Sequence, residues 1–164
     1  MIEVHSIDGG ETSAAQLAAC FEIRRIVFVE EQGVSPEEEF DDLDAACVHF
    51  IARRDGEAVG TARLHPQPEV GKAQRVAVLA QARRSGVGAE LMRAIESEAV
   101  DRGLRQIVLH AQTSAIPFYR SIGYQAEGEE FIEADIAHRF MRKTLPRRPR
   151  PSDPTAAARR SRSV

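Results

Sequence analysis

Apolar residues recur at four-residue intervals at Val87, Leu91, Ile95 and Ala99, with Glu90, Arg93 and Glu98 between them. That is the pattern of a helix burying one face, and Gly103 beyond it suits a helix stop. The run Val76-Ala77-Val78 before this helix and the β-branched run Gln106–Ala111 after it read as strands. The same reasoning predicts a strand over Ile2–Ile7, a helix over about Ser13–Phe28, and strands near Val48–Arg54 and Ala58–His65. Two further strands are predicted near Tyr124–Gly128 and His138–Leu145. In the first helix Leu17, Phe21 and Phe28 share a stripe, and Arg24 falls on that stripe rather than opposite it. A buried guanidinium requires a carboxylate or a bound anion.

At 164 residues and 43% hydrophobic content the chain suits one domain with a sizeable core. No apolar run approaches the length of a membrane span and the N-terminus has no basic-then-apolar signal, so a cytoplasmic location is expected. Cys20 and Cys47 sit among apolar neighbours and read as free buried thiols. Asp41, Asp42 and Asp44 lack the glycine and distal glutamate of a calcium loop, so no metal is expected. The run Glu37-Glu38-Glu39 reads as a solvated loop. Composition changes at Pro146: residues 146–164 carry +5 while the preceding 145 carry −8. A basic, proline-rich tail without apolar periodicity is expected to be disordered, which leaves residues 1–145 as the domain. Such a tail can touch an acidic partner, but nothing in it requires nucleic acid.

The chemistry concentrates at Arg83-Arg84-Ser85-Gly86-Val87-Gly88, where the strand ends and the helix opens. The first turn of a helix has backbone N–H groups without intrahelical partners, aligned with the positive end of the macrodipole. Glycine lets an anion approach them closely. Arg83 and Arg84 add charge, which favours a polyphosphate over a lone carboxylate. A Lys-Ser/Thr pair for a triphosphatase loop is missing, as are the third glycine and later acid of a dinucleotide fold.

Arg83-x-x-Gly86-x-Gly88 after a Val-x-Val strand resembles the pyrophosphate loop of the GNAT N-acetyltransferase superfamily. Ala115-x-x-Phe118-Tyr119-x-x-x-Gly123-Tyr124 resembles that family's next helix. The resemblance implies an α/β fold ordered β-α-β-β-β-α-β-α-β-β, with a mixed sheet splayed between its fourth and fifth strands and acetyl-CoA in the opening. It implies coenzyme contacts along Val76, Ala77 and Val78, across Arg83, Arg84, Ser85, Gly86, Val87, Gly88 and Ala89, and at Gln112. It also implies a role for Tyr119 as proton donor to the departing thiolate. Arg84 stands where the family loop often has glycine, so this position must tolerate a Cβ.

A narrower resemblance, to the ElaA-type acyltransferases, covers about residues 20–145. It rests on Arg24-x-x-Val27-Phe28-Val29-x-Glu31-Gln32, Asp41-x-x-Asp44-x-x-x-x-His49, Thr61-Ala62-Arg63, Ala111-Gln112 and His138-x-x-Met141. By that resemblance Arg24, Glu31, Asp41, Asp44, His49, Arg63 and His138 are candidates to line an acceptor entrance. The acceptor is expected to be a small-molecule or peptide amine. An amine must lose a proton before it attacks a thioester, and Glu31, Asp44, His49 or His138 can supply the base. Direct transfer in a ternary complex is expected, with a backbone N–H near Val76 facing the thioester oxygen. A non-catalytic acyl-CoA sensor and an acyl-homoserine-lactone synthase are the rival readings, and a homodimer is compatible with each.

Overall fold

The computed structural model describes residues 1–7 and 13–148. Seven strands form one sheet: β1 (Ile2–Ile7), β2 (Val48–Arg54), β3 (Glu57–Pro66), β4 (Val70–Val78), β5 (Gln106–Gln112), β6 (Gln125–Glu133) and β7 (Ile136–Thr144). Their spatial order is β1-β2-β3-β4-β5-β7-β6. The helices are α1 (Ser13–Arg24), α2 (Pro36–Glu39), α3 (Val87–Asp101) and α4 (Ile116–Ser121). Every neighbouring pair of strands is antiparallel except β4 and β5, which run parallel and pair only where Val70–Lys72 meets Gln106–Val108. Beyond Lys72 the two strands separate, and the sheet opens at the predicted place.

Adjacent residues of a strand face opposite sides of the sheet, and β2 shows how the two layers divide. Phe50 joins Leu64, Ile107 and Leu109 under the buried stripe of α3, which consists of Val87, Leu91, Met92, Ile95 and Ala99. Its neighbour Ile51 packs instead with Ile7 and Cys20 of α1. Helix α3 ends at Gly103 in a closed turn: the Gly103 N–H reaches the Val100 carbonyl at 3.0 Å and Leu104 reaches Ala99 at 2.9 Å. These two bonds satisfy carbonyls that would otherwise be stranded at the helix end.

Three expectations are corrected. The first helix does not stop near Phe28; after Arg24 it widens into a π-helical stretch, Arg25–Glu31. The wider turn keeps Ile23, Val27 and the partly buried Phe28 against Ala77 and Leu79. The sixth strand runs on to Glu133, well past Gly128. It is an edge strand, mostly exposed on both faces, so its residues show no buried periodicity. It joins β7 through Ala134 and Asp135, both at positive φ (51° and 60°), as a two-residue hairpin turn requires. The acidic run is solvated only in part: Ser35 caps the short helix α2, Glu37 and Glu38 are exposed, and Glu39 is buried at 3% exposure. The predicted basic tail lies almost wholly outside the described residues. Among those residues, no helix is long and apolar enough to cross a membrane.

Candidate active site

Strand β4 supplies the wall of the opening. In its register with β3, Thr61 faces Ala77 and Arg63 faces Gln74, so Arg75 and Val76 together stand opposite Ala62. This is a β-bulge, and Arg75 takes φ 56°, a left-handed conformation that costs a non-glycine residue about 1 kcal/mol or more. Past Val78 the chain turns through Arg84 (φ 61°) and Gly86 (φ 90°) into α3. No side chain caps that N-terminus, so the first-turn amides of Val87, Gly88 and Ala89 are left for an outside acceptor. A Cβ on Gly88 would stand 3.1 Å from the Phe118 ring, a tight approach that the ring would have to yield to. Arg54, Arg83 and Arg84 surround the turn. Arg83 is already committed, donating to the Val78 carbonyl at 2.9 Å and to Glu31 at 2.6 Å.

Between β4 and β5 lies a cleft of about 320 Å³ whose lining includes Val76, His110, Gln112, Tyr119, Glu133 and His138. Tyr119 of α4 is buried, and desolvation pushes its phenol well up, so it stays protonated. Among the described residues its hydroxyl makes no hydrogen bond. His138 Nδ1 lies 2.7 Å from the Ile136 carbonyl. A carbonyl only accepts, so Nδ1 holds the proton, and in the neutral ring Nε2 carries the lone pair. That Nε2 is 4.0 Å from Glu133, Phe131 stacks on the ring at 5.9 Å, and Glu133 also meets His110 Nδ1 at 3.3 Å. Gln32 and Gln112 join across the mouth, the Gln112 amide donating at 2.8 Å.

Arg24, Asp44, Arg63 and His49 do not line this cleft. They belong to a buried ion network beside it, which is the carboxylate partnership that Arg24 requires. Arg24 (1% exposed) donates to Glu39 and to Asp44, both at 2.8 Å. Arg63, equally buried, meets Asp44 at 2.8 Å and both oxygens of Asp41 at 2.8 and 2.9 Å. Bonds from Arg63 hold the Asp41 carboxyl far below the usual carboxylate range. Burial pushes Asp44 up, but its bonds to Arg24 and Arg63 outweigh this and lower it. For Glu39 burial prevails over the pull of Arg75 and Arg24, and its carboxyl rises. His49 Nε2 donates to the Asp44 carbonyl (2.8 Å), and the ring packs edge-on to Phe21, away from the cleft. Glu31 points to Arg83. Of the four candidate bases, only His138 borders the opening.

Arg75, Glu39, His110 and Glu133 were not singled out by the sequence reading. A signal for His110 existed: Lys72 and Gln74 on β4, like His110 and Gln112 on β5, are polar at alternate positions inside otherwise apolar strands. Cys20 is buried, Cys47 only partly so, and both thiols are free. Among the described residues no cluster of three or more His, Cys, Asp or Glu side chains could hold a metal.

The arrangement agrees with known proteins. Residues 17–124 match the family model for acetyltransferase (GNAT) family domains. The chain is 40% identical over 129 residues to the Bacillus subtilis N-acetyltransferase YjcF, covering 78% of this chain and 92% of that one. Escherichia coli ElaA superposes with a TM-score of 0.76 at 28% identity, covering 87% of this chain and 99% of that one. A GNAT family acetyltransferase from Elizabethkingia anophelis, solved with acetyl-CoA bound, shares the fold at 14% identity (TM-score 0.65; 88% and 98% covered). With the family model spanning well over half its length and a relative 40% identical over most of both chains, the chain belongs to the GNAT family of N-acetyltransferases.

Proposed function

We propose that this enzyme moves an acetyl group from acetyl-CoA to an amine by direct attack in a ternary complex. One observation carries the reading: the cleft between β4 and β5 brings together the unpaired edge of β4 at its bulge, a protonated tyrosine and a histidine of fixed tautomer, and the uncapped N-terminus of α3 follows the same strand. Acetyl-CoA would supply the activated thioester, and the residues present fit it. The amides of Val87, Gly88 and Ala89 would receive its diphosphate, with the open β4 edge alongside Val76 for its arm.

His138 Nε2 takes the proton of the incoming ammonium, directly or through one water, because Nδ1 is held by the Ile136 carbonyl. Glu133, 4.0 Å from that nitrogen, favours both the cationic amine before transfer and the imidazolium after it. The backbone N–H at Val76 faces the developing charge as a preorganised dipole. As the C–N bond forms and the C–S bond breaks, Tyr119 gives its phenolic proton to the departing thiolate and recovers one from the acylated nitrogen, so the buried phenol, which burial keeps protonated, ends as it began.

The test is calorimetric titration with acetyl-CoA and with free CoA, followed by thiol release against a panel of primary amines. Binding with amine-dependent release supports the reading. Loss of release in His138→Gln with acetyl-CoA affinity retained assigns the base, whereas unchanged release in that variant removes His138 from the mechanism.

A further inference from the structure

The β4 bulge is built around a residue that should resist it. Arg75 sits at φ 56° although it carries a side chain, and such a conformation persists only where the surroundings over-determine it. Its side chain shows what does so. The guanidinium reaches Glu39 Oε2 at 3.0 Å, the Glu39 carbonyl at 3.3 Å, the Glu38 carbonyl at 3.2 Å and Asp41 Oδ2 at 3.2 Å. All four acceptors lie in the segment that follows α1, more than thirty positions away in sequence.

That segment is itself anchored. Glu39 accepts from Arg24 at 2.8 Å and Asp41 from Arg63 at 2.8 and 2.9 Å, while Asp44 bridges Arg24 and Arg63. Arg63 also donates to Gln74, the residue before Arg75, at 3.0 and 2.8 Å. The network thus closes a ring from α1 through residues 36–44 to β3 and β4. Arg75 is its one guanidinium that also borders the cleft, and the next residue is Val76.

We propose that Arg75 is a positioning residue: its tether to Glu38, Glu39 and Asp41 fixes the β4 bulge and so aims the Val76 peptide into the cleft. The segment over the acceptor side and the catalytic strand then move as one unit, so loosening either loosens both. This rests on the reading of the β4–β5 opening as the acyl-transfer site. The tether itself can be tested without that reading.

The decisive variant is Arg75→Gly. Glycine adopts φ 56° freely, so the backbone can keep the bulge while the tether is lost, and any defect belongs to the side chain. Amide hydrogen exchange should show peptides over 36–46 and 73–78 losing protection together, by tenfold or more, with the α3 and β5–β7 peptides unchanged. Arg75→Lys, which keeps one charged contact but not the fork, should restore part of the protection. With an amine the native enzyme accepts, Arg75→Gly should lower kcat about tenfold and leave the KM for acetyl-CoA within twofold, since the proposed diphosphate turn lies beyond Val78, outside the tethered stretch. Unaltered protection over 73–78 would overturn the proposal, because strand pairing alone would then hold the bulge. A rise in the acetyl-CoA KM with kcat intact would overturn it too. Should no amine be accepted, the functional reading fails, while the exchange result still decides the tether.

Discussion

The bulge of β4 and the turn that follows the strand are built in opposite ways. The turn proposed to hold the diphosphate is made of backbone: amides of Val87, Gly88 and Ala89, with Gly86 in a left-handed conformation before them. At the bulge the strand is braced from behind by side chains, with three guanidinium groups (Arg24, Arg63 and Arg75) meeting three carboxylates (Glu39, Asp41 and Asp44). A backbone site depends on few identities and tolerates change around it. A buried charge network depends on every member, because removing one leaves its partner charged and desolvated.

The sharpest break of that contrast is in stability. Arg24→Ala leaves Glu39 and Asp44 without their shared guanidinium and should cost about 3–5 kcal/mol, read as a shift in the urea midpoint. Ala89→Glu should do the reverse. A glutamate in the first turn suits the helix dipole and leaves folding intact, yet like charges about 4 Å apart repel by several kcal/mol near a protein surface. Acetyl-CoA affinity measured by calorimetry should therefore fall by more than about 100-fold.

Tyr119→Phe should lower turnover by an order of about 100-fold, the scale of one general acid, with affinity for acetyl-CoA unchanged in the same titration. The pH dependence of stability separates the carboxylates further. Asp41 and Asp44 have lowered folded values, so their contribution is complete above the unfolded value of about 3.9 and is lost as pH falls below it. Glu39, raised by burial, has the opposite sign and favours the folded state as it takes up its proton. The thermal midpoint should rise slightly as Glu39 takes up its proton and then fall below about pH 4, and Asp41→Asn should flatten that fall. The smallest effect is expected at Arg84, whose φ of 61° is strained for a side chain. Arg84→Gly relieves that strain, partly offset by the entropy of glycine in the unfolded chain, for a net gain of about 0.5 kcal/mol in chemical denaturation.

The same contrast decides what could be read in the chain. The turn into α3 is local, so Arg83 to Gly88 after an apolar strand made a glycine-bearing, uncapped helix start legible, and the four-residue period of α3 placed its buried face. The network is non-local: Arg24 reaches Glu39 and Asp44 fifteen and twenty positions on, and Arg63 reaches back twenty-two to Asp41. Sequence reasoning saw that Arg24 needed an anion but could not say which one. Seen without their partners, Arg63, Asp44 and His49 passed for entrance groups, and Glu39 was lost in a run of three glutamates. Strand β6 shows the same limit, since an edge strand exposed on both faces carries no period. His138 was legible as a candidate, but its selection needed the Ile136 carbonyl that fixes its tautomer.

The central claim, that the opening between β4 and β5 is where an acetyl group passes to an amine, is tested most directly by thiol release from saturating acetyl-CoA across an amine panel. The native enzyme and Tyr119→Phe should be assayed side by side. The account predicts amine-dependent release by the native enzyme and its collapse in the variant at equal acetyl-CoA affinity. Equal release by both, or no binding of acetyl-CoA to either, would contradict it.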